Sequence, residues 1–254
     1  MVCVDLEDAV APDQKEAARA DAFAFLTAAT TTPPERIVRI NSLQSEAGQK
    51  DLLALLDARL QQGTILVPKT EDPAQLQQLA SRLKQAGSRL KLATLIESTI
   101  GVENAYAIVQ AIPDLDFVMF GGADLAAELG TRVAPEPLAY ARSRLVYAAR
   151  SAQIDILDMP CLHFRDLEQV RQEADYARLL GFTGKAVIHP TNVELIHHAF
   201  TPTREQLEEA KQYIEAYNRS STGVAVIDGK IVEKPVVIAM QKILARGLAA
   251  GLKP

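Results

Sequence analysis

The stretch "LDFVMFGGADLAAELG", residues 115–130, decides the fold. It opens as a continuous apolar run, the pattern of a strand buried on both faces of a parallel sheet. Two glycines, Gly121 and Gly122, end the run. Asp124 follows at once, and then an Ala/Leu/Glu segment of helical composition. A strand that passes a carboxylate to the start of a helix is half of a βα unit, with a polar group placed where such units carry chemistry.

Outward from this stretch the pattern repeats. Apolar runs occur at "VCVDL" (2–6), "RIVRIN" (36–41), "TILVP" (64–68), "KLATLIE" (91–97), "IDILDM" (154–159) and "AVIH" (186–189). Helix-period segments lie between them. "DQKEAARADAFAFL" (13–26) opens on Asp13 as N-cap, and "DPAQLQQLASRL" (72–83) carries Asp then Pro at its start. "DLEQVRQEADYARLLG" (166–181) ends on Gly181 as C-cap. Strand–helix alternation over nearly 200 residues means α/β architecture with right-handed crossovers.

Composition sets the bounds. The 254 residues are 48% hydrophobic and 23% charged, ordinary values for a globular protein with a sizeable core. A formal net charge of −5 argues against a nucleic-acid surface. No apolar run reaches the ~18 residues of a membrane span, and no secretory signal precedes the first strand. Cys3 and Cys161 both lie in or beside apolar runs and read as buried, reduced thiols. The expectation is a cytoplasmic, enzyme-sized chain without membrane or nucleic-acid partners.

An open doubly wound sheet and a (βα)8 barrel both fit the alternation. No G-x-G-x-x-G follows the first strand, and there is no P-loop. Polar residues instead close almost every strand: Glu7 and Asp8, Arg39 and Asn41, Lys69, Glu97, Asp124, Asp158 and His189. Polar groups from many strand ends fit a barrel, whose site is built at its C-terminal rim. Yet only seven runs are present, and a closed barrel needs eight. Residues 1–200 therefore read as the barrel domain. Residues 201–254, an amphipathic helix, a hairpin-like piece and a last helix, read as a C-terminal appendage.

The motifs "VDLEDAVAPDQKEAAR" (4–19), "VRIN" (38–41), "VPKTED" (67–72), "LIESTIGVENA" (95–105), "FGGADLAAELG" (120–130), "LGFTGKAVIHP" (180–190), "FTPTREQLEEA" (200–210) and "DGKIVEKP" (228–235) lie in order along the chain. Together they resemble the citrate lyase β-subunit-like family, within the HpcH/HpaI aldolase and malyl-CoA lyase superfamily. The resemblance implies a TIM (βα)8-type barrel, assembly as a trimer or hexamer, and a divalent metal, Mg²⁺ or Mn²⁺. It also implies carbon–carbon bond chemistry beside an acyl-CoA thioester. Family members usually begin with one further βα unit, carrying an "RSxLFxPG"-like strand that helps hold the thioester. Its place is not filled here, so the barrel is expected to lack that unit.

Glu97 and Asp124 end consecutive strand runs, which in a parallel barrel sit about 5 Å apart. Two carboxylates that close repel unless a cation lies between them, and Mg²⁺ accepts one or two protein carboxylates plus water and substrate oxygens. The glycines clear side chains from around them. The alternative is that each acid serves the helix after its strand. Arg39 is the candidate clamp for the substrate carboxylate, with Glu97 binding substrate through the metal; a salt bridge to Glu7 or Asp8 is compatible with that role. Strand alternation puts Asp5 and Glu7 on one face. The superfamily often has a His base where Asp8 falls, so one of Glu7 and Asp8 is a proton-transfer candidate, with ion pairing to Arg39 and Lys69 as the alternative. In related lyases an Asp of the "DGKIVEKP" motif reaches a neighbouring subunit's site as general acid or base, and here Glu233 takes that place.

The leading expectation is a Mg²⁺-dependent lyase. It would cleave a citramalyl-, malyl- or citryl-CoA-type thioester to acetyl-CoA and a 2-keto acid. Two alternatives stand beside it: a catalytically impaired scaffold or subunit of a lyase complex, and a class II aldolase acting on free pyruvate and aldehydes. The "DGKIVEKP" segment favours the thioester branch over the latter.

Overall fold

The computed structural model describes residues 1–28 and 35–252. Seven parallel strands form one sheet in chain order: β1 (Val2–Asp5), β2 (Arg36–Arg39), β3 (Thr64–Val67), β4 (Lys91–Ile96), β5 (Leu115–Phe120), β6 (Asp155–Asp158) and β7 (Gly184–Lys185). Each pairs with the next, as right-handed βα repeats require. The order is that of a TIM-like fold, with seven strands as the run count implied and with β1 and β7 at the ends of the ladder. The helices α1 (Lys15–Thr27), α2 (Glu46–Ala58), α3 (Pro73–Gln85), α4 (Thr99–Val109), α5 (Gly122–Glu128), α6 (Pro135–Ala152) and α7 (Leu167–Leu180) fill the connections.

The chain divides into two compact units, residues 1–161 with 177–186, and residues 162–176 with 187–254. In the first unit, alternation along the strands gives the sheet two apolar faces. Ile37, Leu66, Ala93, Leu95 and Phe117 form one buried cluster, joined by Met119 and Leu157. The intervening residues Val38, Ile65, Val67, Ile96, Val118 and Ile156 are also fully or almost fully buried. This is why the strands read as continuous rather than alternating runs. Asp72 caps α3 through a complete capping box with Gln75 and Pro73 in the first turn, as its Asp-Pro start predicted.

The second unit holds α8 (Val193–Phe200), α9 (Arg204–Arg219), the antiparallel hairpin β8 (Ala225–Ile227) and β9 (Lys230–Val232), and α10 (Lys234–Ala249). Asp228 and Gly229 both have positive φ, +47° and +76°, as a two-residue hairpin turn demands. Tyr213, Val232 and Val237 form its buried core.

Three local expectations are corrected. Gln14, not Asp13, occupies the N-cap of α1, with no side-chain cap bond. The last strand lies at Gly184–Lys185 rather than at 186–189, because Leu157 and Asp158 of β6 pair with these two residues and Val187 and Ile188 are left exposed. The Lys185 ammonium sits in that strand because Asp158 (2.8 Å) and the Met159 carbonyl (2.7 Å) receive it. Cys3 is exposed, since β1 ends the sheet, while Cys161 is buried; both are free thiols.

Burial orders the energetics. Leu145 of α6 is 0% exposed and Leu179 of α7 is 80% exposed. Leu145→Ala should destabilise by about 2–5 kcal/mol, through lost burial and the cavity left behind. Leu179→Ala should stay within about 0.5 kcal/mol of the parent. Urea unfolding of the two variants checks the contrast.

Candidate active site

The C-terminal strand ends of the first unit carry two charge clusters. The first is built on β1 and β2. Asp5 and Arg39 are register partners across the parallel pair, so their side chains emerge side by side on one face. Arg39 donates to Asp5 as a fork, Nε to Oδ1 at 2.7 Å and Nη2 to Oδ2 at 2.5 Å. Its Nη1 lies 3.0 Å from Glu7 Oε2, and Asp8 stands 4.0 Å from Nη2. Burial pulls the Arg39 pKa down, but Asp5, Glu7 and Asp8 outweigh it and raise it. Burial also works against the Asp5 carboxylate, yet the Arg39 fork and the Glu7 and Ala9 amides bring its pKa below the usual value. Glu7 differs. Only 6% of it is exposed, and burial with the Asp8 charge raises its pKa against the opposing pull of Arg39 and Lys69. Among the described residues its Oε2 accepts no hydrogen bond.

A buried polar network fixes this cluster from behind. Lys15 Nζ donates to the Leu6 carbonyl (2.8 Å), the Glu7 carbonyl (2.7 Å) and Asn41 Oδ1 (2.6 Å), which uses all three ammonium hydrogens. Asn41 donates its backbone N–H and its Nδ2 to Asp51 Oδ2, at 2.8 and 2.7 Å. Asp51, wholly buried, takes Arg19 Nε at 2.7 Å on its other oxygen. The loops after β1 and β2 are thus tied to α1 and α2. Sequence reading passed over Lys15, Arg19 and Asp51. Their signal is the i, i+4 spacing of Lys15 and Arg19 on one helix face and an acid, Asp51, at the head of the apolar run of α2.

The second cluster holds the two acids expected to share a metal. Glu97, just after β4, is 5% exposed, and Asp124 lies in the first turn of α5. The two carboxyls are within hydrogen-bonding reach. Burial first, then the hydrogen bond to Asp124 and the charges of Glu7 and Asp124, push the Glu97 pKa up to about 9 against the opposing Lys69 amide. Both line a cavity of about 290 Å³ together with Ser42, Lys69, Glu71 and Glu128. Gly121 is indispensable to the arrangement: a Cβ there would lie 2.4 Å from Glu97 Cβ and 2.7 Å from its Oε2. Gly122 has a different task from the one expected, since a Cβ would strike Met159 Sδ at 2.5 Å and the Phe120 ring at 2.7 Å. It is a packing glycine, and the clearing is done by Gly121 alone.

Lys69 enters this cluster through its backbone. Its φ of +52° is left-handed, which costs a non-glycine residue about 1–2 kcal/mol. That conformation accompanies an amide N–H directed at Glu97 Oε1, 2.9 Å away. One carboxylate oxygen is thereby occupied, and Oε2 is left on the Gly121 side.

These groups fit a hard divalent cation. With protein groups alone around it, Glu97 is pushed well above the usual carboxylate range by burial and by the neighbouring acid, the behaviour of a buried carboxyl beside a like charge with no counter-ion. Among the described residues no cluster of three or more His, Cys, Asp or Glu side chains could hold a metal. A pair of carboxylates, with water and ligand oxygens completing the shell, suits magnesium better than zinc.

The remaining polar positions fall elsewhere. Asp158 is 1% exposed and receives Arg142 Nε (3.1 Å) and Lys185 Nζ (2.8 Å) in the interior of the first unit. His189, in the second unit, accepts the Thr191 N–H and stacks on Phe164 at 5.1 Å. Glu233, in the second unit, is the exposed N-cap residue of α10, and its side chain makes no capping bond.

Known proteins are similar to this chain in sequence and in fold. The model of the HpcH/HpaI aldolase/citrate lyase family matches residues 1–190. A (3S)-malyl-CoA thioesterase of Cereibacter sphaeroides is 36% identical over 98% of this chain and 86% of its own length. The citrate lyase subunit beta of Haemophilus influenzae is 32% identical over 96% of this chain and 88% of its own. The structure of CitE from Mycobacterium tuberculosis, solved with magnesium, acetoacetate and coenzyme A, is 29% identical. It superposes with a TM-score of 0.81 over 97% of this chain and 89% of that one.

Two substitutions probe the acid pair. Asp124→Ala should weaken Mn²⁺ binding at least about tenfold, as loss of one of two charged ligands implies; electron paramagnetic resonance titration reads it, with circular dichroism unchanged. Gly121→Ala should do the same without removing any ligand, because the new methyl displaces the Glu97 carboxylate. Parent-like affinity in Gly121→Ala would show that Glu97 can shift without cost.

Proposed function

We propose for this chain, which belongs to the HpcH/HpaI aldolase/citrate lyase family, a magnesium-dependent carbon–carbon lyase activity on a 3-hydroxyacyl-CoA. The products are acetyl-CoA and a 2-keto acid. The observation that carries this reading is the Glu97–Asp124 pair, held beside Glu7 and Lys69 with one carboxyl pushed to about 9 by burial and its neighbour. Glu97 and Asp124 are the residues that would hold a magnesium ion, which would supply Lewis acidity to the reaction. Glu7, with its pKa raised by burial and its oxygens facing Arg39 (3.0 Å) and Lys69 (3.4 Å), is suited to take the hydroxyl proton of the substrate. Loss of that proton breaks the neighbouring C–C bond and leaves the thioester enolate. Carbon protonation of the enolate falls to Glu233 of a neighbouring copy in a trimer or hexamer. Arg39 holds Glu7 and Asp5 in place from below.

A second reading is favoured by one observation, the 36% identity to a (3S)-malyl-CoA thioesterase. There the thioester, not the C–C bond, is the bond cleaved.

One assay separates the two. With magnesium and malyl-CoA or citramalyl-CoA, the lyase should release glyoxylate or pyruvate, trapped as a phenylhydrazone, with acetyl-CoA as co-product. A thioesterase releases free CoA thiol and the intact hydroxy acid. No product of either kind would point instead to a scaffold subunit.

A further inference from the structure

Asp124 stands on a short helix with little to fasten its start. The N-cap residue of α5, Gly121, has no side chain with which to cap it. Glu97 stands just before α4, which begins at Thr99. Two carboxylates repel when both are ionised, so the elements that carry them need a tie of their own. The last residue of α5 makes one. Glu128 Oε2 accepts the Thr99 N–H at 3.0 Å, and its Oε1 accepts the Thr99 hydroxyl at 2.5 Å. Ser98 takes the Gly101 N–H at 3.2 Å. The Glu128 carboxylate thus answers the amide at the first position of α4, and its charge suits the positive end of that helix.

This bracket matches the acid pair in chain position. Thr99 lies two residues after Glu97, and Glu128 lies four after Asp124, one turn along the same face of α5. Glu97, Asp124 and Glu128 line one cavity. We infer that Glu128 is a positioning residue: by binding Thr99 through both oxygens it holds α5 against the start of α4, fixes Asp124 relative to Glu97, and so sets the affinity of the pair for a divalent cation. This rests on the reading that the pair holds that cation. Among the described residues no three acids gather closely enough to hold a metal together. Glu128 therefore acts through the two elements it joins and not as a third ligand. It is exposed, so its replacement should leave the fold standing.

The test uses the full chain, Mn²⁺ titration read by electron paramagnetic resonance, and circular dichroism to check the fold. Thr99→Val removes the hydroxyl and leaves the main-chain N–H; it should weaken Mn²⁺ binding roughly two- to tenfold, the worth of one hydrogen bond. Glu128→Ala removes both bonds and should weaken it about tenfold or more, as loss of a group supporting a metal ligand from behind does. The double variant should bind no more weakly than Glu128→Ala alone, because both changes break one link. Glu128→Gln keeps an acceptor for the Thr99 N–H without the charge, and should bind more tightly than Glu128→Ala. Mn²⁺ affinity unchanged in Glu128→Ala overturns the proposal, since the bracket would then serve the fold alone. Additive losses overturn it too, as does Glu128→Gln falling as far as Glu128→Ala; either assigns the effect to charge or direct ligation. A parent that binds Mn²⁺ yet cleaves no thioester refutes the lyase reading alone, and the variants still compare on binding. Mn²⁺ affinity that survives Asp124→Ala refutes the metal reading of the pair and the proposal with it.

Discussion

Two carboxyls brought together at neighbouring strand ends, one of them buried, are the constraint around which the first unit is arranged. Glu97 alone would be an ordinary acid after a strand. Beside Asp124, and under the charge of Glu7, its ionised form is strongly disfavoured, and the protein offers a single backbone amide in compensation. Such a pair is costly unless a cation completes it. The surrounding features follow from keeping it together: a glycine where any side chain would collide with Glu97, and a left-handed residue on the preceding strand end that supplies the amide. Local strain of this kind persists only where the surrounding structure over-determines it.

The second cluster solves the opposite problem. Asp5, Glu7 and Asp8 lie within four residues, and repulsion among them would splay the loop after β1. Arg39 prevents this by binding Asp5 in a fork and Glu7 through its remaining arm. Lys15 adds a grip on the Leu6 and Glu7 carbonyls from the helix side. The result separates two acids by environment. Asp5, fully satisfied, is kept ionised, whereas Glu7 keeps an oxygen without a hydrogen-bond partner and a raised pKa. Neighbouring acids whose pKa values are pushed apart are the pattern expected of a structural acid beside a proton-transfer group.

Much of this was legible in the sequence because it is written in local order. Apolar runs closed by polar residues fix both the parallel sheet and the rim at which Glu7, Arg39, Lys69, Glu97 and Asp124 collect. The Asp-Pro start of α3 and the hairpin-like character of the C-terminal piece are legible for the same reason. What escaped depends on partners distant in the chain. That Asp5, rather than Glu7 or Asp8, takes the Arg39 fork follows from register between strands 34 residues apart. The Lys15–Asn41–Asp51–Arg19 network needs two helices and a loop to be placed before any of its bonds can be seen. The last strand lies two residues before the apolar run at 186–189, and the lysine it contains is made acceptable there by a buried aspartate 27 residues away.

Lyase and thioesterase chemistry part at the substrate's two ends, and the charged groups of this cavity favour one of them. Cleaving the C–C bond requires that the hydroxy-acid end be gripped, that its hydroxyl lose a proton, and that charge on the new keto oxygen be answered. Glu97, Asp124 and Lys69, which line the cavity, and Glu7, whose Oε1 stands 3.4 Å from Lys69 Nζ, are suited to those three tasks. Hydrolysing the thioester instead requires water delivered to a carbonyl several bonds away, to which none of those tasks contributes directly. A hydrolase could inherit the same grip, since holding the hydroxy acid also serves to position its thioester. On the lyase reading proposed above, Glu7 has a direct use that hydrolysis does not give it: a carboxylate beside Lys69 and the Glu97–Asp124 pair is placed to take the alcohol proton whose loss precedes carbon–carbon cleavage.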